Sequence, residues 1–428
     1  MTDKTRSTIA NSSGNSPDAT SDAARRNFGV LWLGQAVSLL GSQITIVAVP
    51  LLAVQVLGAG PSQIGLLQAC GSAAFVLMGL PAGPLVDRVP KRRILLTVNL
   101  LSAVLIGALV FAHHIGALAL PYLYVSTLVL GLCAVVAGVA FLSVVPEVVS
   151  GSHIVAVSGR LSVVQTVAQV VGPAAAGFLI GVVGPADALI FDGLSFVIAA
   201  GSIALLRITV SEPAAPPARE RITTLIGEGI RYVTRTPLLR SITLASAASM
   251  LFGAVWQAAH IVFLVRTLHA SSLVVGLVIG LSAVGGVLGG LTAPRLFRRY
   301  GRVVFLRWAM PVSSVPGLLM VAAQPGWAVL LVAAADFFMM FGAILFNVAQ
   351  TSARLAVCPR PMLGRMNATI RTAVWTASTV GSLAGAALGA VFDPRVIILV
   401  GILGTIVATA ACGLQRVGDV PDEPADVS

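Results

Sequence analysis

The sequence predicts an all-α membrane protein with twelve transmembrane helices in two six-helix pseudo-repeat bundles. Three observations lead to this prediction: the composition is very apolar, long apolar stretches recur at short intervals, and basic residues are distributed unevenly between the loops. Of the 428 residues, 57% are hydrophobic and only 10% are charged. Soluble chains usually carry about a quarter charged residues. Lipid is therefore the expected solvent for most of the surface.

Twelve apolar stretches are long enough to span a bilayer, which requires about 20 residues per helix. The predicted spans are 28–56, 63–86, 94–114, 120–143, 155–183, 186–207, 240–266, 273–294, 303–323, 327–350, 367–392 and 395–414. Glycine and proline are frequent inside them, as packed membrane helices tolerate. The predicted domains are a disordered tail at 1–25, bundles at 26–208 and 239–414, a polar linker at 209–238, and a second tail at 415–428.

The basic residues indicate the orientation of these spans. If the N-terminus is cytoplasmic, 25 of the 27 Lys and Arg residues fall in segments on the cytoplasmic side, and only Arg266 and Arg395 lie outside. An excess of basic residues is typical of cytoplasmic loops. Both termini are therefore predicted to be cytoplasmic, and the net charge of +11 reflects topology rather than binding of nucleic acid.

The two predicted bundles also share short motifs. The segment Pro84–Arg88 after the second span matches Pro294–Arg298 after the eighth, 210 residues later. The pair Gly159-Arg160 matches Gly364-Arg365, 205 residues later. Parallel repeats of this kind predict a substrate site near the middle of the membrane, between the halves.

The segment from Gly83 to Arg93 resembles the signature loop of the major facilitator superfamily: a glycine, three residues, Asp-Arg and a basic cluster. The resemblance covers residues 26–414 and implies a secondary transporter that works by alternating access. In that family the loop is a gating latch in which the glycine allows close helix packing. The matching latch residues are Gly83, Asp87, Arg88, Lys91, Arg92 and Arg93. Pro90 replaces the usual second glycine, and a loop that is merely positively charged is the alternative interpretation.

Three further segments, Leu33–Ser42, Asp192–Phe196 and Leu363–Thr369, are similar to the drug-efflux branch of the superfamily, which includes macrolide and multidrug exporters. Gly172-Pro173 in the fifth span resembles the Gly-Pro motif of proton-coupled antiporters. This pair is predicted to bend the helix and to bring it close to a neighbour, with ordinary small-residue packing as the alternative.

The sequence departs from the family at positions that often carry charge. Related transporters often have an Arg in the fourth span, whereas the predicted fourth span has no charged residue. Asn99 and Ser102 stand where related exporters often have Asp and Arg. Proton coupling by that route is therefore not expected.

Ionisable residues inside a span cost several kcal/mol and indicate function. Asp336 in the tenth span and Asp192 in the sixth are the proton-coupling candidates, with a structural hydrogen-bonded carboxyl as the alternative for each. Polar and aromatic residues in the spans that usually line the family's cavity are the substrate-site candidates: Gln35, Gln43, Trp256, Gln257, His260, Asn347 and Trp375. A largely apolar cavity suits lipophilic compounds.

No nucleotide-binding loop, metal-ligand cluster or catalytic triad stands out in the sequence, so an enzyme is not expected. The expected protein is a monomeric exporter of hydrophobic or amphiphilic, drug-like small molecules in a bacterial cytoplasmic membrane. A proton gradient drives it, without a cofactor and without nucleic acid as a partner. Two alternatives remain: an exporter of an endogenous siderophore, lipid or antibiotic, and a transport-inactive scaffold or sensor.

Overall fold

The computed structural model describes residues 17–79, 81–148, 154–205, 222–359 and 362–414. Residues 1–16, 206–221 and 415–428, which include most of the predicted tails and linker, lie outside these ranges. Within them, the regular structure is helical. The helices are α1 (Pro17–Gln55), α2 (Pro61–Met78), α3 (Ala82–Arg88), α4 (Lys91–His114), α5 (Leu120–Val148), α6 (Ile154–Val183), α7 (Pro185–Leu205), α8 (Ile222–Arg235), α9 (Pro237–Val262), α10 (Ser272–Tyr300), α11 (Arg302–Ser314), α12 (Val329–Val357), α13 (Leu363–Gly389) and α14 (Pro394–Leu414).

Two helix boundaries differ from the predictions. Helix α1 begins at Pro17, so it extends into the segment predicted as a disordered tail; proline is well suited to the first turn of a helix. The second span was predicted as one helix to residue 86, which is wrong. Helix α2 ends at Met78 and α3 begins at Ala82, because Pro81 cannot donate a backbone hydrogen bond and its ring clashes with the preceding turn.

Eleven of the described helices are long and apolar enough to cross a membrane, with α11 counted together with the 3-10 helix Val315–Ala322 that continues it. Helix α13 has the length of a span, at 27 residues, but carries Arg365 and Arg371 and falls short in hydropathy. It packs along both α2 and α9, so protein rather than lipid covers much of its surface. With α13, twelve long helices remain when the short α3 and α8 are set aside.

The same five helix pairings occur in both halves of the chain. In the first half, α1 packs along α6 and α7, α4 along α5 and α7, and α2 along α5. In the second half, α9 packs along α13 and α14, α11 along α12 and α14, and α10 along α12. This repetition confirms the two six-helix pseudo-repeats. The halves are joined mainly by α2 with α13 and by α6 with α10, and also by α2 with α9 and α1 with α9.

The two ends of the bundle are packed differently. We call the end that carries α3 and α8 the linker end, and the end that carries the α1–α2 loop the far end. The largest cluster of buried apolar side chains lies at the far end and includes residues of both halves, such as Leu52 and Phe263. At the linker end each half has its own cluster, around Ile94 in the first and around Leu306 in the second. The halves therefore share a core at the far end.

Candidate functional site

Helices α2 and α13 form the first seam between the halves. At its far end, a Cβ added to Gly65 would lie 2.6 Å from the backbone nitrogen of Ala386, so only glycine allows this approach. Deeper in the seam, Phe75 stacks on Trp375 with ring centroids 3.9 Å apart and planes 5° from parallel. Phe75 lies about 21 Å along α2 from its start. One turn beyond Trp375 toward the linker end, Arg371 is exposed, so the halves have separated there.

Helices α6 and α10 form the second seam, again near the far end. A Cβ on Gly177 would lie 2.9 Å from the Cα of Gly276, and a Cβ on Gly276 would lie 2.4 Å from the carbonyl oxygen of Pro173. Gly172 faces α1, where a Cβ would lie 2.5 Å from the Cγ of Gln43. The close helix contact predicted at Gly172-Pro173 is therefore present. The two seams join the halves near the far end, while each half has its own core at the linker end, which indicates a cleft between the halves there.

In the second half, a histidine and a carboxylate meet across α9 and α12. The Nε2 atom of His260 lies 3.1 Å from Oδ2 of Asp336, and both side chains are buried, with exposed fractions of 10% and 5%. The pair has ion-pair distance but not hydrogen-bond alignment, since His260 Nε2 and Asp336 Oδ1 have no hydrogen-bond partner among the described residues. Trp256 packs edge-on against His260, at 5.0 Å between ring centroids. The site combines two ionisable groups that are shielded from water.

A second polar bridge joins α9 and α12 nearer the linker end. Ser246 Oγ donates to Gln350 Oε1 at 2.7 Å, and Gln350 Nε2 donates to Asn347 Oδ1 at 3.0 Å. Arg354 donates to the same Gln350 oxygen. Gln350 and Ser246 are buried, whereas Asn347 is exposed. The glutamine amide is thus fixed by three partners.

These polar residues occupy one face of α12. Asp336, Asn347, Gln350 and Arg354 are separated by eleven, three and four residues, which places them within about 60° of one another at 100° per residue. The exposed apolar residues Leu330 and Phe338 lie on the other side of the helix. The polar face of α12 is therefore directed toward α9 rather than toward lipid.

Asp192, the other proton-coupling candidate, is enclosed between α1 and α7. Its side chain accepts a hydrogen bond from Thr45 Oγ1 of α1 and another, of 2.9 Å, from Ser195 Oγ. A Cβ on Gly41 would lie 2.6 Å from its Oδ1 atom. Each carboxyl oxygen therefore has a hydrogen-bond partner from its own half, an arrangement that joins two helices.

The remaining candidates for the substrate cavity differ in their contacts and in their solvent exposure. Gln257 is exposed, and its carbonyl oxygen accepts a hydrogen bond of 3.2 Å from Gln68 of α2. Gln35 is half-buried on α1. Asn99 and Ser102, where relatives carry charge, donate to Leu95 and Val98 one turn back in their own helix. They form no bridge to another helix through these bonds.

The predicted latch residues lie on α3 and at the start of α4. Lys91 donates to the carbonyl of Ser143 at the end of α5, and Arg92 donates to the carbonyls of Ile203 and Ala204 at the end of α7. These cations neutralise the negative ends of two helix dipoles.

The other latch residues make fewer contacts. Arg88 and Arg93 are exposed. The side chain of Asp87 lies outside the described part of the structure. Close packing at Gly83 is not found: a Cβ there would meet nothing within 4 Å.

Sequence reasoning missed the pairing of His260 with Asp336 and the role of Arg354. The role of Arg354 could have been found from the polar spacing along α12, since a face with Asp336, Asn347, Gln350 and Arg354 has the period of a helix. The pairing with His260 depends on how α9 lies against α12. Phe75, the partner of Trp375, had no polar signal. Among the residues that the structure describes, no group of three or more His, Cys, Asp or Glu side chains is placed to hold a metal ion.

Comparison with known proteins gives a family and a fold. The MFS_3 family model, described as transmembrane secretion effector, matches residues 19–423. The uncharacterized MFS-type transporter y4rN of Sinorhizobium fredii is 33% identical over 138 residues, which is 31% of this chain and 33% of that protein. The chain thus aligns with about a third of that relative's length.

Two solved structures share the fold. The nucleoside transporter NupG gives a TM-score of 0.72 at 13% identity, over 90% of this chain and 98% of that one. A bacterial homologue of the iron transporter ferroportin, 17% identical over 90% of this chain and 98% of that one, gives 0.67 in its inward-facing state. The same homologue gives 0.55 in its outward-facing state, with the same identity and coverage. The chain therefore belongs to the transmembrane secretion effector family of the major facilitator superfamily, and it is a multi-pass membrane transporter.

Proposed function

We propose that the protein is a proton-coupled exporter that moves amphiphilic small molecules out of the cytoplasm by alternating access. The observation that carries this proposal is the one-sided closure of the molecule. The halves share a core and two glycine seams at the far end, whereas at the linker end each half has a buried cluster of its own. A cleft closed at one end is the geometry expected of one of the two states in an alternating-access cycle.

The linker end is the cytoplasmic end in this proposal. The basic residues Arg88, Arg93, Arg298 and Arg299 lie at that end, and an excess of basic residues is typical of the cytoplasmic side. The state described is then inward-facing. The higher TM-score to the inward-facing than to the outward-facing state of the ferroportin homologue supports this assignment. The family's description as a secretion effector supports transport outward.

The proton site of the proposal is the His260–Asp336 pair. The two ionisable groups are buried and 3.1 Å apart, so a proton carried at this site is shielded from water. The pair lies toward the far end of α9 and α12, which is the end that must open for release. Asp192 is not the proton site in this scheme, since Thr45 and Ser195 occupy its oxygens.

The substrate class follows from the groups around the cleft. The aromatic planes of Trp256 and Trp375 and the amides of Gln257 and Asn347 suit a molecule with an apolar body and few polar groups. Transport of nucleosides or iron belongs to the structural neighbours themselves, whose low identity to this chain carries over the fold alone.

The experiment is transport into everted membrane vesicles. The fluorescent panel consists of 11-(dansylamino)undecanoic acid, its methyl ester and rhodamine 6G. Each compound is added with and without an imposed pH gradient. The proposal predicts gradient-dependent accumulation of at least one amphiphile, abolished by a protonophore and absent from vesicles without the protein. Accumulation that is insensitive to the protonophore would contradict proton coupling, and no accumulation of any member would contradict export of amphiphiles.

A further inference from the structure

The polar face of α12 carries a cation, Arg354, for which no described residue supplies a carboxylate. Within the described part of the chain, no Asp or Glu lies within ion-pair distance of Arg354. Its Nη2 atom donates to Gln350, and its Nε atom is buried without a hydrogen-bond partner among the described residues. Charges removed from water are normally paired, because an isolated one is costly. The half-buried guanidinium can therefore accept an anionic partner that the described residues do not supply.

The surroundings of Arg354 are built to hold the guanidinium in place. The side-chain amide of Gln350 is held in one orientation, since its oxygen also accepts from Ser246 and its nitrogen donates to Asn347. Because Asn347 Oδ1 is occupied by that bond, its two amide hydrogens are left to donate elsewhere. Asn347 is exposed, so these hydrogens are accessible from the cleft.

We propose that Arg354 and Asn347 together bind an oxyanion group, a carboxylate or a phosphate, on the transported amphiphile. Guanidinium groups present planar pairs of N–H donors that match the two oxygens of such an anion. The amide donor of Asn347, about two helical turns away, adds a further hydrogen bond. The apolar body of the substrate would then extend along α12 toward Trp256. This inference rests on the proposed export of amphiphiles and specifies the substrate as anionic.

The position of the two charged groups on α12 is consistent with this assignment. Asp336 lies eighteen residues from Arg354, about 27 Å along the helix, and it is already matched by His260. An anion at Arg354 therefore does not meet the carboxylate of Asp336. The two ends of the polar face therefore have separate roles: one end binds the proton and the other binds the substrate anion.

The test is binding of a matched probe pair to the purified protein in detergent. The probes are 11-(dansylamino)undecanoic acid and its methyl ester, which differ in one negative charge. The wild type is expected to bind the acid about tenfold more tightly than the ester, as loss of a charge-assisted hydrogen bond suggests. Arg354→Gln is expected to remove this difference. Arg307→Gln is the matched control, because Arg307 also has a buried, unpartnered Nε atom near the linker end but lies on α11.

A second variant guards against a folding defect in Arg354→Gln. Asn347→Asp provides Arg354 with a carboxylate from within the chain, so it should fold at least as well and should also lose the preference for the acid. Unfolding temperature and size-exclusion profile check both variants. If the wild type binds both probes equally, or if Arg354→Gln or Asn347→Asp keeps the preference, this inference is overturned while export of amphiphiles stands.

A separate experiment distinguishes a substrate anion from a lipid headgroup, since both offer the same oxyanion chemistry. The titration is repeated in nanodiscs of phosphatidylcholine alone and of phosphatidylcholine with phosphatidylglycerol. A substrate anion predicts an Arg354-dependent preference for the acid in both. If phosphatidylglycerol abolishes the preference in the wild type, the site holds a lipid headgroup and the proposal is wrong.

Discussion

His260 Nε2 lies 3.1 Å from Asp336 Oδ2, and this contact joins α9 to α12 across the second half of the transporter. Fourteen residues away on each helix, Ser246 Oγ donates to Gln350 Oε1. Because the helices are antiparallel, the equal spacing places both bridges on the same pair of faces. The two helices are thus connected by polar side chains at both ends of a face that also carries Arg354.

The His260–Asp336 pair should be visible as an energetic coupling. His260→Leu leaves the buried carboxylate of Asp336 without its partner, which should lower the free energy of unfolding by about 3 kcal/mol or more. The double variant His260→Leu with Asp336→Leu removes both polar groups and should recover much of that loss. Unfolding in mixed micelles measures both. Additive losses would show that the two side chains do not interact.

Closure of the far end should depend on the glycines of the α6–α10 seam. Gly276→Val places a side chain against the carbonyl of Pro173, so the far end cannot close and the inward-facing state should lose population. A cysteine at Arg371, in a chain whose four native cysteines have been replaced, reports this state. Its labelling by an impermeant maleimide in everted vesicles should slow several-fold. Gly181→Val is the control, since a Cβ at Gly181 meets nothing within 4 Å; equal labelling of the two variants would refute the seam's role.

Asp192 should act on stability rather than on coupling. Thr45→Val removes a hydrogen bond to a buried carboxyl that joins α1 to α7, which should cost about 2 kcal/mol of unfolding free energy. Transport by the folded variant should remain proton-dependent. Thr234→Val on the exposed surface of α8, where the hydroxyl bonds only within its own helix, should be nearly neutral. Loss of proton dependence in Thr45→Val would assign Asp192 to the coupling route.

Hydropathy and the distribution of arginines were sufficient to predict twelve helices in two halves, because lipid imposes a length and an apolar surface on each span. They could not predict the break at Pro81 or the low hydropathy of α13, since these depend on how helices pack against protein. The α2–α13 seam was equally hidden: Gly65 and Phe75 are ordinary residues of a membrane helix until their partners on α13 are known.

The site was predicted in part. Asp336 and His260 were each selected as isolated polar residues in apolar surroundings, yet their pairing needed the antiparallel alignment of α9 and α12. Asp192 was selected by the same rule, although Thr45 and Ser195 bind it within its own half. A polar residue in a span therefore indicates a structural or a transport role. Its hydrogen-bond and ion-pair partners decide which of the two it has.

The most direct test of proton coupling through Asp336 is substrate-driven proton movement in proteoliposomes that contain a pH-sensitive dye. The substrate is whichever amphiphile of the panel the wild type transports. Asp336→Asn should abolish the pH change while substrate counterflow, which needs no net proton transfer, continues. Asp187→Asn is the matched control, because Asp187 pairs with His114 at 2.9 Å on the exposed surface. A normal pH change in Asp336→Asn would contradict the account.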